Sequence, residues 1–404
     1  MNELIRIVQN EWTKLIRRRR FLVVLLLGVV LVSIYTYAEH YQAVSQIHNA
    51  DPVVQKQEIS DRIQRLQSRL TTDTSMTEAD KANIKDRIKS LNQSIDQLNG
   101  PQPDQSVFDA NRTQQAIDSL NKEIAGLTPD KEVELGDLQM QVQLQQYTLD
   151  HKLPMVIDHD PQITAWSAIN TLLDIGSQLF IPLLCVLLAA DMVSGEQTGG
   201  TIKLLLTRPA SRGKILLAKY LTSITAAVLV VAIILAVLTG LSIITFGTGG
   251  ASQPVAVGVA YHGVTEMIRG SMTHTAAADP ASMSIVTAAH FSFTAMLLTL
   301  AATIAMCTLG FFCSVLLRSA AVSTGVAMAV IILGTIVVHI ISGVKWMQYF
   351  ITANFGLPSA WTGDLSSQFG FPVNLSSSLA ILLGWTIVLY AVGHALFTRR
   401  DVLG

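Results

Sequence analysis

The chain has 404 residues, of which 50% are hydrophobic and 14% charged, with 28 Lys and Arg against 29 Asp and Glu. Apolar runs of 18 residues or more recur along it, which excludes a soluble globular protein and indicates an integral membrane protein. Three cysteines, Cys185, Cys307 and Cys313, are too few for a disulfide framework; all lie in or beside apolar runs and read as small packing residues.

Residues 1–20 predict an amphipathic helix lying in the membrane interface, with Leu4, Ile5, Val8, Trp12 and Leu15 on one side and Arg6, Glu11 and Lys14 around the rest. It ends in the run Arg17 to Arg20, which holds the N-terminus in the cytoplasm. Residues 21–38 are long enough to span, about 27 Å at 1.5 Å per residue. No small-residue cleavage site follows, so the run reads as an uncleaved first span rather than a signal peptide.

Residues 39–161 change abruptly to Gln, Asp, Lys and Ser with regularly spaced Ile and Leu. Ile59, Ile63, Leu66, Leu70 and then Ile84, Ile88, Leu91, Ile95, Leu98 alternate steps of four and three, the heptad signature of helical packing. Between the two runs Thr77 caps the second helix, with Asp80 three residues on. This predicts an antiparallel helical hairpin, ended by the Gly100-Pro101-Gln102-Pro103 stretch. Ile117, Leu120, Ile124, Leu127 and, after Thr128-Pro129-Asp130, Leu135, Leu138, Val142, Gln145, Leu149 repeat the arrangement. Two hairpins of this kind can form a slender four-helix unit. Twelve basic against twenty acidic residues argue against nucleic acid or anionic lipid as this insertion's partner. It is either a projection that meets an extracellular or envelope protein or substrate, or a spacer packed on itself or its dimer mate.

Five further spans are expected, at residues 168–190, 215–246, 286–317, 319–342 and 378–397. Six spans place both termini on one side. The proposed cytoplasmic pieces carry fourteen basic residues and the short outer loops only Arg269 and Lys345, the positive-inside pattern, while low tryptophan and the Gln/Lys-rich insertion suggest a bacterial plasma membrane. Residues 247–284 are rich in small residues and read as a loop with little structure of its own. Residues 343–377 hold many aromatics, hardly a charge, and Pro358 and Pro372, which suits short helices dipping into the outer leaflet.

The loop at residues 191–219 is the compact charged interruption of this half. Ile202, Leu205 and Leu206 recur at helical spacing, and the run stops near Arg208 because Pro209 disfavours helix before it. Ser211 then caps a second helix that enters the membrane, with Lys214 and Lys219 as its wet-side anchors. The pattern of Glu196, Gly200-Thr201, a leucine run with Leu205, Arg208-Pro209 and a basic entry into a span resembles the first cytoplasmic loop of the membrane (permease) subunits of type-2 ATP-binding-cassette exporters. The resemblance covers all of the membrane portion, at residues 1–38 and 168–404; the insertion is the departure. It implies an all-α integral membrane protein of six transmembrane helices, with an N-terminal interfacial helix and re-entrant outer helices, to which the heptads add an α-helical coiled-coil insertion between the first and second spans. It also implies that Glu196, Gly200, Thr201, Leu205, Arg208 and Pro209 form the coupling contact with a separate ATPase subunit, beside a second permease copy or paralogue. The other reading of the loop is an amphipathic connector lying on the lipid bilayer.

No phosphate-binding Gly-x4-Gly-Lys-Ser/Thr motif occurs, and Gly213-Lys214 lacks both the leading Gly and the hydroxyl residue. ATP and Mg are therefore expected in a partner subunit, with no cofactor and no metal cluster on this chain. Ionisable and amide groups in spans are costly and mark pathways: Asp174 and Gln178 lie one turn apart in the second span, and His339 near the outer end of the fifth. The bland alternative satisfies each of them, like His290 and His394, on a neighbouring helix. Two other functions stay open: a mechanotransmitter that moves its coiled coil without transport, and a non-transporting scaffold.

Overall fold

The computed structural model describes residues 2–17, 19–72, 77–99, 108–128, 131–154, 163–200, 211–268, 271–340 and 344–399. The amphipathic leader forms α1 (Asn2–Arg17), and Arg19, in the left-handed conformation, separates it from α2 (Arg20–Ala50). This second helix runs unbroken for 31 residues, so the first span continues directly into the insertion. Gly28 is what brings α2 against the bundle: a Cβ there would lie 2.2 Å from Ile234 Cδ1.

The insertion contains α3 (Pro52–Thr72), α4 (Glu78–Asn99), α5 (Ala110–Gly126) and α6 (Glu132–Asp150). Helix α3 pairs with α4 and α5 with α6. The heptad positions of the first pair are all at least partly buried, and Ile63 is buried outright. Thr77 Oγ1 donates to Asp80 Oδ2 at 2.6 Å and accepts from Asp80 N at 3.2 Å, which closes the expected cap at the start of α4. Among the described residues the extensive contacts of each hairpin are internal, and α6 packs in addition on β1 and β3. The break at residues 100–103 and the helix start at Pro129-Asp130 lie outside the described residues.

The second of the expected spans is a bent helix pair. Helices α7 (Ala165–Gln178) and α8 (Phe180–Ala189) meet at 50°. Pro182 has no N–H to donate to the carbonyl of Gln178 four residues back, and that carbonyl accepts instead from Thr335 Oγ1 at 3.3 Å. After the short α9 (Ser194–Thr198) come α10 (Arg212–Phe246), α11 (Ala288–Leu316), α12 (Ala320–Ile340) and α15 (Leu375–Arg399), with α13 (Leu357–Thr362) and α14 (Asp364–Phe369) before the last. Among the described residues five helices, α2, α10, α11, α12 and α15, are long and apolar enough to cross a bilayer, and the bent pair makes six if it counts as one span. Their common core is dense around Ile169, Leu173, Val186, Leu216, Val230 and Met306. Gly310 lets α11 touch α8 at backbone distance, since a Cβ there would sit 3.1 Å from Val186 Cα. Ser211 caps α10 through Lys214 N as expected.

The stretch at residues 247–284 is not the loop that its composition predicts. It folds as β1 (Pro254–Val257), β2 (Ala260–Ile268), β3 (Ser271–Asp279) and β4 (Ser284–Thr287), paired antiparallel as β1 with β4 and β2 with β3. The register of the hairpin runs from Ala260 opposite Asp279 to Ile268 opposite Ser271. Its small residues are a packing requirement: Ala276, Ala277 and Ala278 are buried where α6 lies on the strand, and a Cβ at Gly136 would meet Ala278 O at 2.7 Å. Among the described residues the fold is therefore helical with two small antiparallel sheets of two strands each, beside the insertion and at the end of α10 remote from α1.

Residues 344–374 do form short helical pieces, as the prolines and aromatics predict. Lys345–Tyr349 and Thr352–Asn354 are 3-10 turns, followed by α13, a left-handed Gly363 (φ 100°) and α14. The segment is buried within protein, from Ile351 to Ala360 without interruption.

Candidate functional site

Two polar sites sit at opposite ends of the bundle. The first surrounds α9. Lys219, in the second turn of α10, is 1% exposed and donates from Nζ to Glu11 Oε2 at 2.6 Å, with Glu196 Oε1 at 3.5 Å. Both carboxylates are 3% exposed. Lys14 Nζ lies 3.0 Å from Glu11 Oε1 and 3.3 Å from Glu196 Oε1, and Arg20 pairs with the buried Asp191. Three cations thus meet three anions contributed by α1, α2, the α8–α9 turn, α9 and α10. The side chains leave a cavity of only about 20 Å³ between them, and the Lys219 contacts to Glu11 and Glu196 lie at its buried side, while Lys14 and Arg20 reach solvent.

This arrangement corrects two sequence expectations. Glu11 does not face water on α1; it occupies the buried face with Leu15. Lys219 is not a wet-side anchor but the centre of the cluster. The physical reason is pairing: an ammonium and a carboxylate can both be buried if each finds the other and their remaining hydrogen bonds are met. Lys214, one turn earlier, does stay exposed, and there its ammonium holds the Glu3 carboxyl below the ordinary carboxylate range through a 2.7 Å contact. The signal in the sequence was Glu11 breaking the stripe of Leu4, Val8 and Leu15, and Lys219 standing inside an apolar run.

A set of hydroxyls holds the other side of α9. Ser314 Oγ, on α11, accepts from Val193 N at 2.8 Å and Ser194 N at 3.0 Å, supplying the cap that Val193, the N-cap residue of α9, does not. Thr198 Oγ1 accepts from Ala320 N at 3.1 Å, tying α9 to the start of α12. Of the predicted coupling residues, Glu196 is buried in the charge cluster and Gly200 follows α9 with a left-handed backbone (φ 68°). Thr201, Leu205, Arg208 and Pro209, together with Ile202 and Leu206, lie outside the described residues.

At the opposite end, Asp174 accepts from Ser359 Oγ of α13 at 2.5 Å. Gln178, at the break between α7 and α8, packs against Gly356 and offers its carbonyl to Thr335. His339 stands one turn beyond Thr335 on α12, its side chain outside the described residues. Asp174 and Gln178 thus meet α12 and α13 beside one another. Asn170, one turn before Asp174, is satisfied by Ser292 Oγ of α11 at 2.7 Å. Among the described residues no group of His, Cys, Asp and Glu is arranged to hold a metal ion.

A family model described as ABC-2 family transporter protein matches residues 5–402. The chain belongs to that family. It is 24% identical over 265 residues to the uncharacterized protein YhcI of Bacillus subtilis, a match covering 65% of this chain and 75% of that one. Over 41 residues it is 54% identical to the probable ABC transporter permease protein NosY of Pseudomonas aeruginosa, which is 10% of this chain and 15% of the relative. The protein of that name from Stutzerimonas stutzeri is 55% identical over 40 residues, 10% of this chain and 14% of the relative. This ABC-2 chain is accordingly the membrane subunit of an ABC transporter, a type of subunit whose ATPase resides in a partner.

Proposed function

We propose that this subunit works in an ATP-driven exporter, as a homodimer or beside a paralogous permease, with two copies of a nucleotide-binding subunit docked at the α1 end. That end is then cytoplasmic and the insertion extracellular. The observation that carries the reading is the buried charge cluster. It joins α9 to α1 and α10, while Ser314 and Thr198 join it to α11 and α12, so a push on the adjoining loop is delivered to several spans at once. Glu196, Gly200, Thr201, Leu205, Arg208 and Pro209 are proposed as the coupling element, with Glu196 setting its base from inside. Asp174, Gln178 and His339 are proposed to border the path between subunits. A mechanotransmitter is the second reading, and the unbroken α2, which leads from the first span into the insertion, favours it.

The experiment is Leu205→Asp, scored by co-purification of the ATPase subunit and by ATP hydrolysis in lipid. An Asp facing an apolar docking groove loses water at a cost of several kcal/mol, whereas one facing headgroups does not. The expected result is a membrane-inserted variant that no longer retains the ATPase. Undiminished retention with coupled hydrolysis makes the loop a surface connector and removes the basis for the exporter reading.

A further inference from the structure

The insertion is absorbed into the protein through its second hairpin, and the β layer is the joint. Helix α6 has no side-chain cap from its own N-cap residue, Lys131. Glu266 of β2 supplies one across the chain: its Oε1 accepts from Val133 N at 3.0 Å, at the positive end of the helix. Beside it, His262 Nε2 lies 3.3 Å from Glu132 Oε2, and Gly136 brings the α6 backbone onto β3. The α6 helix and the hairpin are thus held by a cap, a polar pair and a backbone contact within two turns.

The same hairpin also holds the segment over Asp174. Gly258 N, in a left-handed residue just before β2, donates to Trp361 O at 2.7 Å. The Tyr261 ring fills the space over Gly363, where a Cβ would lie 2.3 Å from Cε2. Burial in this seam, with Asp364 and Asp137 nearby, pushes the Tyr261 phenol up to about 12, so the ring stays neutral. The held residues are those flanking Ser359, which reaches Asp174, and Trp361 stacks on Phe291 of α11 at 5.4 Å.

We propose that the β2–β3 hairpin is a clamp through which α6 positions the α13–α14 segment over Asp174, so that the extracellular insertion sets access to the far end of the path. The inference rests on the exporter reading only in taking Asp174 to border that path. Glu266 is the positioning residue: it touches neither Asp174 nor Ser359 and acts through α6 and the hairpin. A ligand or partner that tilts the insertion thereby has a route to the exit.

The test uses the full chain in lipid nanodiscs with Ala360→Cys as reporter, because Ala360 is 4% exposed and on α13. The native Cys185, Cys307 and Cys313 are buried and report on global loosening. Labelling by a charged thiol reagent is compared in the parent, Glu266→Ala, Glu266→Gln and Gly136→Ala. Expected is at least tenfold faster labelling of position 360 in Glu266→Ala and Gly136→Ala, with the native cysteines still silent and Glu266→Gln, which keeps the acceptor, like the parent. Unchanged labelling in both disrupting variants overturns the proposal. So does labelling of the native cysteines at the same pace, since the hairpin then holds the fold and not the exit. Neither ATPase nor substrate enters the assay, so its outcome is separate from that of Leu205→Asp.

Discussion

Replacing Lys219 by Met tests the buried cluster most directly. The methionine keeps most of the side-chain volume and removes the charge, so Glu11 and Glu196, each 3% exposed, lose the buried ammonium between them. Breaking a buried pair from one side costs about 3–5 kcal/mol, because a carboxylate stays behind without compensation. That is roughly a hundred- to several-thousand-fold in the equilibrium for seating α1. Trp12 on α1, edge-on to Phe21 at 5.9 Å, gives a fluorescence signal for that seating during denaturation of the purified protein. Two comparisons isolate the cause. Lys214→Met, which removes a partner of exposed Glu3, should leave the transition where it is. Lys219→Met with Glu11→Gln restores the balance of charge and should recover most of the loss. If Lys219→Met unfolds together with Lys214→Met, the cluster does not fasten α1 and the reasoning fails.

Topology is checked by impermeant thiol labelling of intact cells: a cysteine at Ser94 should react and one at Ser211 should not, and the reverse pattern would sink the orientation proposed above. The Thr77–Asp80 cap gives a pH dependence. Hydrogen bonds from Thr77 hold the Asp80 carboxyl below its ordinary range, so their contribution is full above the ordinary carboxylate pKa and is lost as pH falls through the depressed value. Hydrogen exchange at the first turn of α4, corrected for intrinsic rate, should therefore quicken in acid, and Asp80→Asn should abolish the difference between acid and neutral pH.

The legible parts of the fold were those written in periodicity. Heptads located α3 and α4, apolar runs located the long apolar helices, and hydroxyl caps marked the starts of α4 and α10. Burial of charge was harder to read, because Lys219 near a helix entrance satisfies equally a side chain that snorkels to water and one that meets a carboxylate from elsewhere in the chain. Only the approach of α1 decides between them. The β layer escaped because strands are recognised by alternating large apolar residues, whereas this hairpin is covered by helices and uses alanine and glycine where their backbones approach. Pro182 did stand in the open: a proline inside a span frees the carbonyl four residues earlier, and reading it so would have placed the break at Gln178.

That break bears on how the two ends communicate. Helix α8 leads into Asp191 and Glu196 and so belongs with the charge cluster; helix α7 carries Asp174 and belongs with the clamp. Between them the main-chain hydrogen bond that would make one stiff rod is replaced by a side-chain bond to α12. A rod would carry any displacement of α9 straight to Asp174. A joint whose carbonyl is held by Thr335 makes the response depend on α12 as well, and α12 is itself fastened to α9 by Thr198 at its other end. Displacement of α9 therefore enters this loop of contacts twice, once through α8 and once through α12, and returns at Gln178, beside the segment that covers Asp174. Coupling of this kind needs no rigid lever, only that the two routes move Gln178 in the same sense.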